Sequence, residues 1–336
     1  MTILITGAAG FIGFHVAQTL LLRGEKVIGI DNLNDYYDVS LKSSRLDILN
    51  KHKNFLFYPS DIADKNDISG IAKSHPEIKY VVHLAAQPGV RYSLENPFAY
   101  VASNLVGHMV ILEVCRNLPN LEKFVYASSS SVYGGNTKLP FSVSDNVDTP
   151  LSLYAATKKS DELLTHSYSH LFKIPSVGLR FFTVYGPWGR PDMATFLFTK
   201  AILENKPITV FNNGDMKRDF TYIDDIVDGI IKIVDGLSFV VDSKENDQPP
   251  TTNYQRPYKI YNLGNNKSEN LMYFINTLEN AIGKKAIIDF QPMHPGDVKE
   301  TYADIEDAKR DFGFSPQTSI EEGLPKFVEW YSSYYR

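Results

Sequence analysis

The stretch TILITGAAGFIG, Thr2–Gly13, decides the fold. Its first five residues read as a buried strand, and Gly7, Gly10 and Gly13 follow at three-residue spacing where FIGFHVAQTLLLRG opens as a helix. A glycine turn between strand and helix lets backbone approach a pyrophosphate, and the helix N-terminus favours the negative charge. Phe11 and Ile12, between the last two glycines, belong to the same expected cofactor contact. Helix–strand packing also selects such turns, so the surrounding pattern has to discriminate.

Eighteen residues beyond Gly13, Asp31 closes the run VIGID. A carboxylate there accepts both ribose hydroxyls of an adenosine and repels a 2′-phosphate, which favours NAD over NADP. Asn32 adjoins it, and Asp61 and Ile62 after NFLFYPS are expected to meet the adenine, with Asp61 as a helix cap the alternative. Leu84, Ala85 and Ala86 of HLAA close the far side of the cleft. The runs TILIT, KVIGID, NFLFYPSD, KYVVHLAA and KFVYASS alternate with helical patterns and are apolar on both faces. This predicts an α/β doubly wound, Rossmann-type parallel sheet.

The alternation loosens after about Pro175, so residues 1–179 are expected to form the NAD-binding domain, with a returning segment near 219–263. Residues 180–336 are expected to supply mainly a smaller substrate-binding lobe. The polar, Pro-rich stretch 237–257 reads as a loop. No internal repeat is visible.

With 336 residues, 43% of them hydrophobic, the chain can bury a large core and is not disordered as a whole. A net charge of -5 leaves no basic excess for nucleic acid, so an anionic ligand must be held by local arginines and backbone amides. Cys115 is the lone cysteine, which excludes an intrachain disulfide and thiolate metal clusters; no metal is expected. Neither a leader nor a membrane span is evident at the start, and a soluble cytoplasmic protein is expected.

Two motifs carry chemistry. YAATK places Tyr154 and Lys158 on one helix face, and an ammonium beside a phenol favours the phenolate. YASSSSVYG ends a strand with Ser128 to Ser131 and no carboxylate. Y-x-x-x-K alone is common on helices; beside a serine-tipped strand, a glycine turn and Asp31 it becomes specific.

With TGAAGFIG, DNLN, HLAAQPGVRYSLENP, NLVG, SSSSVYG, YAATK, LRFFTVYGP, RDFTYIDD and HPGDVKETYAD in this order, the sequence resembles the extended short-chain dehydrogenase/reductase family over nearly its whole length. Within that family it is similar to the nucleotide-sugar epimerases and dehydratases. The resemblance implies Tyr154 as acid/base, Lys158 on the nicotinamide ribose, Ser129 on the reacting sugar hydroxyl and Asn104 near the cofactor. It implies Arg218 on the nucleotide phosphates or ribose and Asp297 on the ribose side. His294 stands where many relatives carry Arg.

In the resembling dehydratases an Asp-Glu pair follows the strand-tip serine or threonine, and in uronate decarboxylases a Glu; here Ser130 and Ser131 stand there. A 4-keto sugar with no acid to divert it simply takes its hydride back on the other face. The further likeness of DNLNDYYDVSLKSSRL and FFTVYGPWGRPDM to UDP-glucuronate 4-epimerases implies a UDP-hexuronate. Ser130 or Ser131 with Thr183 would then bind its carboxylate, with Arg190 nearby, while Arg91 serves substrate or a structural ion pair. Alternatives are a 4-epimerase of a neutral UDP-hexose or UDP-N-acetylhexosamine, a UDP-glucuronate decarboxylase, or a non-catalytic NAD-binding protein. The family resemblance also implies a homodimer joined through YVASNLVGHMVILEVCRNL and YAATKKSDELLTHSYSHLF, and a place in polysaccharide biosynthesis.

Overall fold

The computed structural model describes residues 1–236, 257–293 and 298–335. The expected loop at 237–257 therefore lies, except for Pro257, outside the described residues, as do His294 and Asp297.

The N-terminal strands are β1 (Thr2–Thr6), β2 (Lys26–Ile30), β3 (Phe55–Tyr58), β4 (Tyr80–His83), β5 (Lys123–Ser129) and β6 (Ser176–Phe181). Interleaved helices include α1 (Phe11–Leu22), α2 (Val39–Leu49) and α3 (Lys65–Ser74). The strands pair in parallel in the order β6-β5-β4-β1-β2-β3, and the chain returns from its later part to add Tyr258–Leu263 beside β6. This is the doubly wound sheet predicted from the strand–helix alternation. Its order reverses between β1 and β4, where the carboxyl ends of strands leave a crevice.

Local chemistry sets where the helices begin. The Asp38 carboxylate accepts from the Ser40 amide ahead of α2, and Asp64 accepts from the Asn66 and Asp67 amides ahead of α3. Ser152 caps the helix Leu153–Phe172 by accepting from the Ala155 amide, so the Y-x-x-x-K pair sits in its first two turns.

The helical pattern through YVASNLVGHMVILEVCRNL is not one regular helix. Val101–Gly107 is a π-helical segment running into the α-helix His108–Asn117. Gly107 passes so close to Ile62 that a Cβ there would meet Ile62 Cδ1 at 2.6 Å. Beyond β6 come three two-stranded ladders, together with helices Ala194–Leu203, Leu271–Ile282 and Ile320–Tyr335. The helix Ile223–Gly236 packs back on α1.

Behind the tip of β5 lies a charged pair. The Arg180 guanidinium donates two hydrogen bonds to Glu162, at 2.8 and 2.9 Å, and Ser128 Oγ donates to the same carboxylate at 2.7 Å. Arg180 and Glu162 are both almost wholly buried. Removing one partner strands the other in the core, so Glu162→Ala is expected to cost about 3–5 kcal/mol; urea unfolding of the purified variant measures it.

Candidate active site

One large cavity, about 440 Å³, opens at the switch point. Its floor is the glycine turn. Gly7 has φ +74°, and a Cβ on it would lie 2.8 Å from the Ala85 amide nitrogen; a Cβ on Gly13 would lie 2.0 Å from the Gly7 carbonyl oxygen. Gly10, Phe11 and Ile12 complete this wall. The N-terminus of α1 has no side-chain cap and no acid in its first turn, so its amides are left for an anion. That cradle, which side chains would fill, suits a dinucleotide pyrophosphate.

Asp31 closes one end. Its carboxylate accepts from the Ala9 and Leu33 amides at 3.1 and 2.9 Å, with Lys42 Nζ 4.0 Å away, and it remains on the cavity wall. Asn32 and Ile62 line the same end, and Leu84, Ala85 and Ala86 the opposite side. Asp61 is not on the cavity wall: it is exposed, accepting from Asn32 Nδ2 at 2.9 Å and from the Ala63 amide at 2.8 Å. It turns Asn32 rather than facing the cavity itself. Asn104 is likewise set behind the wall, buried on the π-helical segment. Its amide exchanges hydrogen bonds with the Gln87 backbone and donates to Thr157 Oγ1, which spends its polar atoms on joining the β4 loop to the Leu153–Phe172 helix.

The serines divide the tip of β5 between core and cavity. All four reach the wall, yet Ser128 is committed to Glu162. Ser129 Oγ accepts from the Ser131 amide and donates to Ser131 Oγ, both at 3.1 Å. Tyr154 and Lys158 line the same cavity. The buried Lys158 ammonium donates to the Ala127 carbonyl at 2.9 Å and to Asp161 Oδ2 at 3.1 Å.

Thr183, Arg190 and Arg218 contribute from the later part of the chain. Arg190 grips Asp192 with two hydrogen bonds, and Tyr36 donates to the same carboxylate at 3.1 Å. Burial and the Asp192 charge push the Tyr36 phenol upward, so it stays a neutral donor. Arg218 donates to the Lys217 and Lys299 carbonyls. Arg91 is off the wall, exposed and stacked 4.2 Å over the Phe211 ring.

Sequence reasoning missed the residues that fasten the Arg190 segment to the glycine turn. Arg45, fully buried, donates to the Ala9 and Trp188 carbonyls at 2.7 and 2.6 Å and to the Tyr37 hydroxyl. His15, on α1, donates from Nε2 to the Pro187 carbonyl at 2.9 Å. Their only trace in the sequence is a polar residue on an otherwise apolar helix face, a pattern that also describes ordinary core polar groups.

Residues 4–327 match the family described as GDP-mannose 4,6 dehydratase. The chain is 53% identical to "Protein CapI" of Staphylococcus aureus, with all of both chains covered. It is 47% identical to a "Probable UDP-glucuronate 4-epimerase" of Rhizobium meliloti, covering all of this chain and 98% of that one. Among solved structures, UDP-glucuronic acid 4-epimerase from Bacillus cereus in complex with UDP-glucuronic acid and NAD is similar at a TM-score of 0.88 and 37% identity, over the full length of both.

Burial holds His15 down at about 4 from an ordinary 6.5, so the imidazole is neutral in the fold. The unfolded chain takes up that proton first, and stability lost through this group appears as pH falls from about 6.5 to about 4. His15→Gln keeps a donor for Pro187 without the titration. Between pH 7 and 5 it is expected to lose about 2 kcal/mol less stability than the wild type, read from urea midpoints at the two pH values.

Proposed function

The chain belongs to the GDP-mannose 4,6 dehydratase family, and from that premise we propose that it converts UDP-glucuronate to UDP-galacturonate by NAD-dependent 4-epimerisation. The observation that carries the reaction type is the chemistry of the wall. Among the described residues lining the cavity, Asp31 is the only carboxylate, and it belongs to the dinucleotide end. Elimination across C5 and C6 needs an acid and a base beside the sugar, and none is available at the serine tip. The family's description names a dehydratase, but among the described residues the sugar end of the wall carries no carboxylate to serve dehydration.

NAD, when bound, supplies reversible hydride transfer at the sugar C4. Gly7, Gly10, Gly13 and the α1 amides would hold its pyrophosphate, and Asp31 its adenosine ribose. Tyr154 takes the proton of the 4-hydroxyl as general base and returns it to the same oxygen once the 4-keto sugar has turned its other face toward the hydride source. Lys158 supports the phenolate, and Ser129 hydrogen-bonds the reacting oxygen. Arg218 meets the UDP portion.

A 4-keto hexuronate is a β-keto acid, and it loses CO2 when the bond to its carboxylate aligns with the ketone π system. Ser130, Ser131 and Thr183 offer hydroxyls that hold the carboxylate without adding a base. Arg190, already compensated by Asp192, borders the same space.

We also infer a cytoplasmic homodimer working in polysaccharide biosynthesis. The run Pro97–Asn117 is long and apolar enough to cross a membrane by length and composition, but half of it is buried in this fold. Phe98, Val106, Leu163 and Leu171 stand 82%, 46%, 57% and 66% exposed on this run and on the Leu153–Phe172 helix, a surface suited to a second copy.

Purified protein is expected to turn over UDP-glucuronate and not UDP-glucose or UDP-N-acetylglucosamine; turnover of only the neutral sugars would sink the substrate assignment. Tyr154→Phe is expected to lose about 100- to 10,000-fold in kcat while retaining NAD. Thr183→Ala is expected to raise the share of decarboxylated UDP-pentose, and an unchanged product ratio counts against the carboxylate clamp. Leu163→Glu is expected to sediment as a monomer where the wild type sediments as a dimer.

A further inference from the structure

Lys158 does not stand alone behind Tyr154. Its ammonium has three N–H donors. One goes to the Ala127 carbonyl and one to Asp161 Oδ2, which leaves the third for the cavity. Asp161 lies one helical turn further along, is 1% exposed, and has no partner at all for Oδ1. A buried carboxylate satisfied on one side only is costly, and stability alone gives little reason to keep it.

The groups packed around this pair carry no competing charge onto Lys158. From β4, His83 is neutral, pushed down to about 3 by burial and then by Lys158. From the helix His108–Asn117, His108 is held well below its usual range by burial, His83 and Lys158. From β5, Tyr126 is pushed upward by burial and its hydroxyl is paired with that of Tyr258. On the same helix as Lys158, Glu162 is bound by Arg180. Toward the cavity stand Tyr154 itself, the Tyr100 phenol, pushed upward by burial, and Arg190, compensated by Asp192. Among the described residues, Asp161 is the one carboxylate within ion-pair distance of Lys158.

We propose that Asp161 is a positioning residue for the epimerisation: it aims the Lys158 ammonium and subtracts from the positive field that Lys158 exerts on Tyr154. The inference rests on the assignment of Tyr154 as acid/base with Lys158 as its support. The consequence is a damped base. With the carboxylate present, part of the ammonium's charge is spent on Asp161 and the phenolate receives less help from it. Burial pushes the Asp161 carboxyl up to about 7 against the pull of Lys158, so the damping acts above that pH, and there the wild-type and variant profiles are expected to part.

Asp161→Asn keeps an oxygen acceptor for Lys158 and removes the charge. Relative to wild type, its kcat–pH profile on the substrate the enzyme turns over is expected to shift its acid limb down by about one unit, which is about tenfold higher kcat on that limb. KM is expected to stay within about twofold. Asp161→Ser, a neutral hydroxyl in the same place, is expected to shift the limb in the same direction and serves if the amide variant folds poorly. A merely structural Asp161 would lower kcat at all pH values without moving the limb, and superimposable limbs overturn the proposal. Tyr154→Phe separates the two readings. If it is inactive and the Asp161 limbs coincide with wild type, only the role of Asp161 fails; if it retains full turnover, the Tyr154 assignment and this inference fall together.

Discussion

At Gly13 the first helix approaches the preceding turn so closely that a methyl group would lie 2.0 Å from the Gly7 carbonyl oxygen, and the site is organised around that approach. It aims the uncapped amides of α1 at the crevice and presses Gly7 against the backbone that follows β4. Asp31 then ties its carboxylate to the Ala9 amide, so the same turn fixes the dinucleotide end. Arg45 takes the Ala9 carbonyl on the outer side and reaches across to Trp188. A single backbone turn of a few residues thus registers the sheet, the cofactor wall and the segment that carries Arg190.

Charge is arranged in the same economical way. Three acids near the site are each paired: Glu162 with Arg180 and Ser128, Asp192 with Arg190 and Tyr36, Asp161 with Lys158. Among the described residues none is left beside the serine tip, where a free carboxylate would change the fate of a 4-keto sugar. Ser129 to Ser131 and Thr183 line the cavity, while Ser128 turns its hydroxyl to the Glu162 carboxylate that Arg180 holds.

What could be read in the sequence was what local spacing encodes. The glycine turn, Asp31 at the end of β2, the Ser152 cap and the Y-x-x-x-K pair depend on residues a few positions apart, and the structure places each of them around one cavity. Contacts that join distant parts of the chain left no such mark. Nothing in VASNLVG announces a π-helical turn, and Asn104, expected near the cofactor, is consumed by Gln87 and Thr157. Asp61 and Arg91 are off the wall for the same reason, one bonded to Asn32 and the other stacked on Phe211. Asp161 was visible as an acid three residues after Lys158, a spacing that puts both on one face. Its burial was not.

The cavity wall and the molecule differ in sign. The chain carries a net charge of -5, yet Lys42, Lys158, Arg190 and Arg218 line the crevice against Asp31. Asp161 and Asp192 offset Lys158 and Arg190 from behind the wall, so the positive excess on the crevice is small, and a low-dielectric cleft concentrates the field of what remains. Capture of a nucleotide sugar is therefore guided by the approach as well as by the fit, and dissolved salt, which screens exposed charge first, weakens the guidance before it loosens what is already bound.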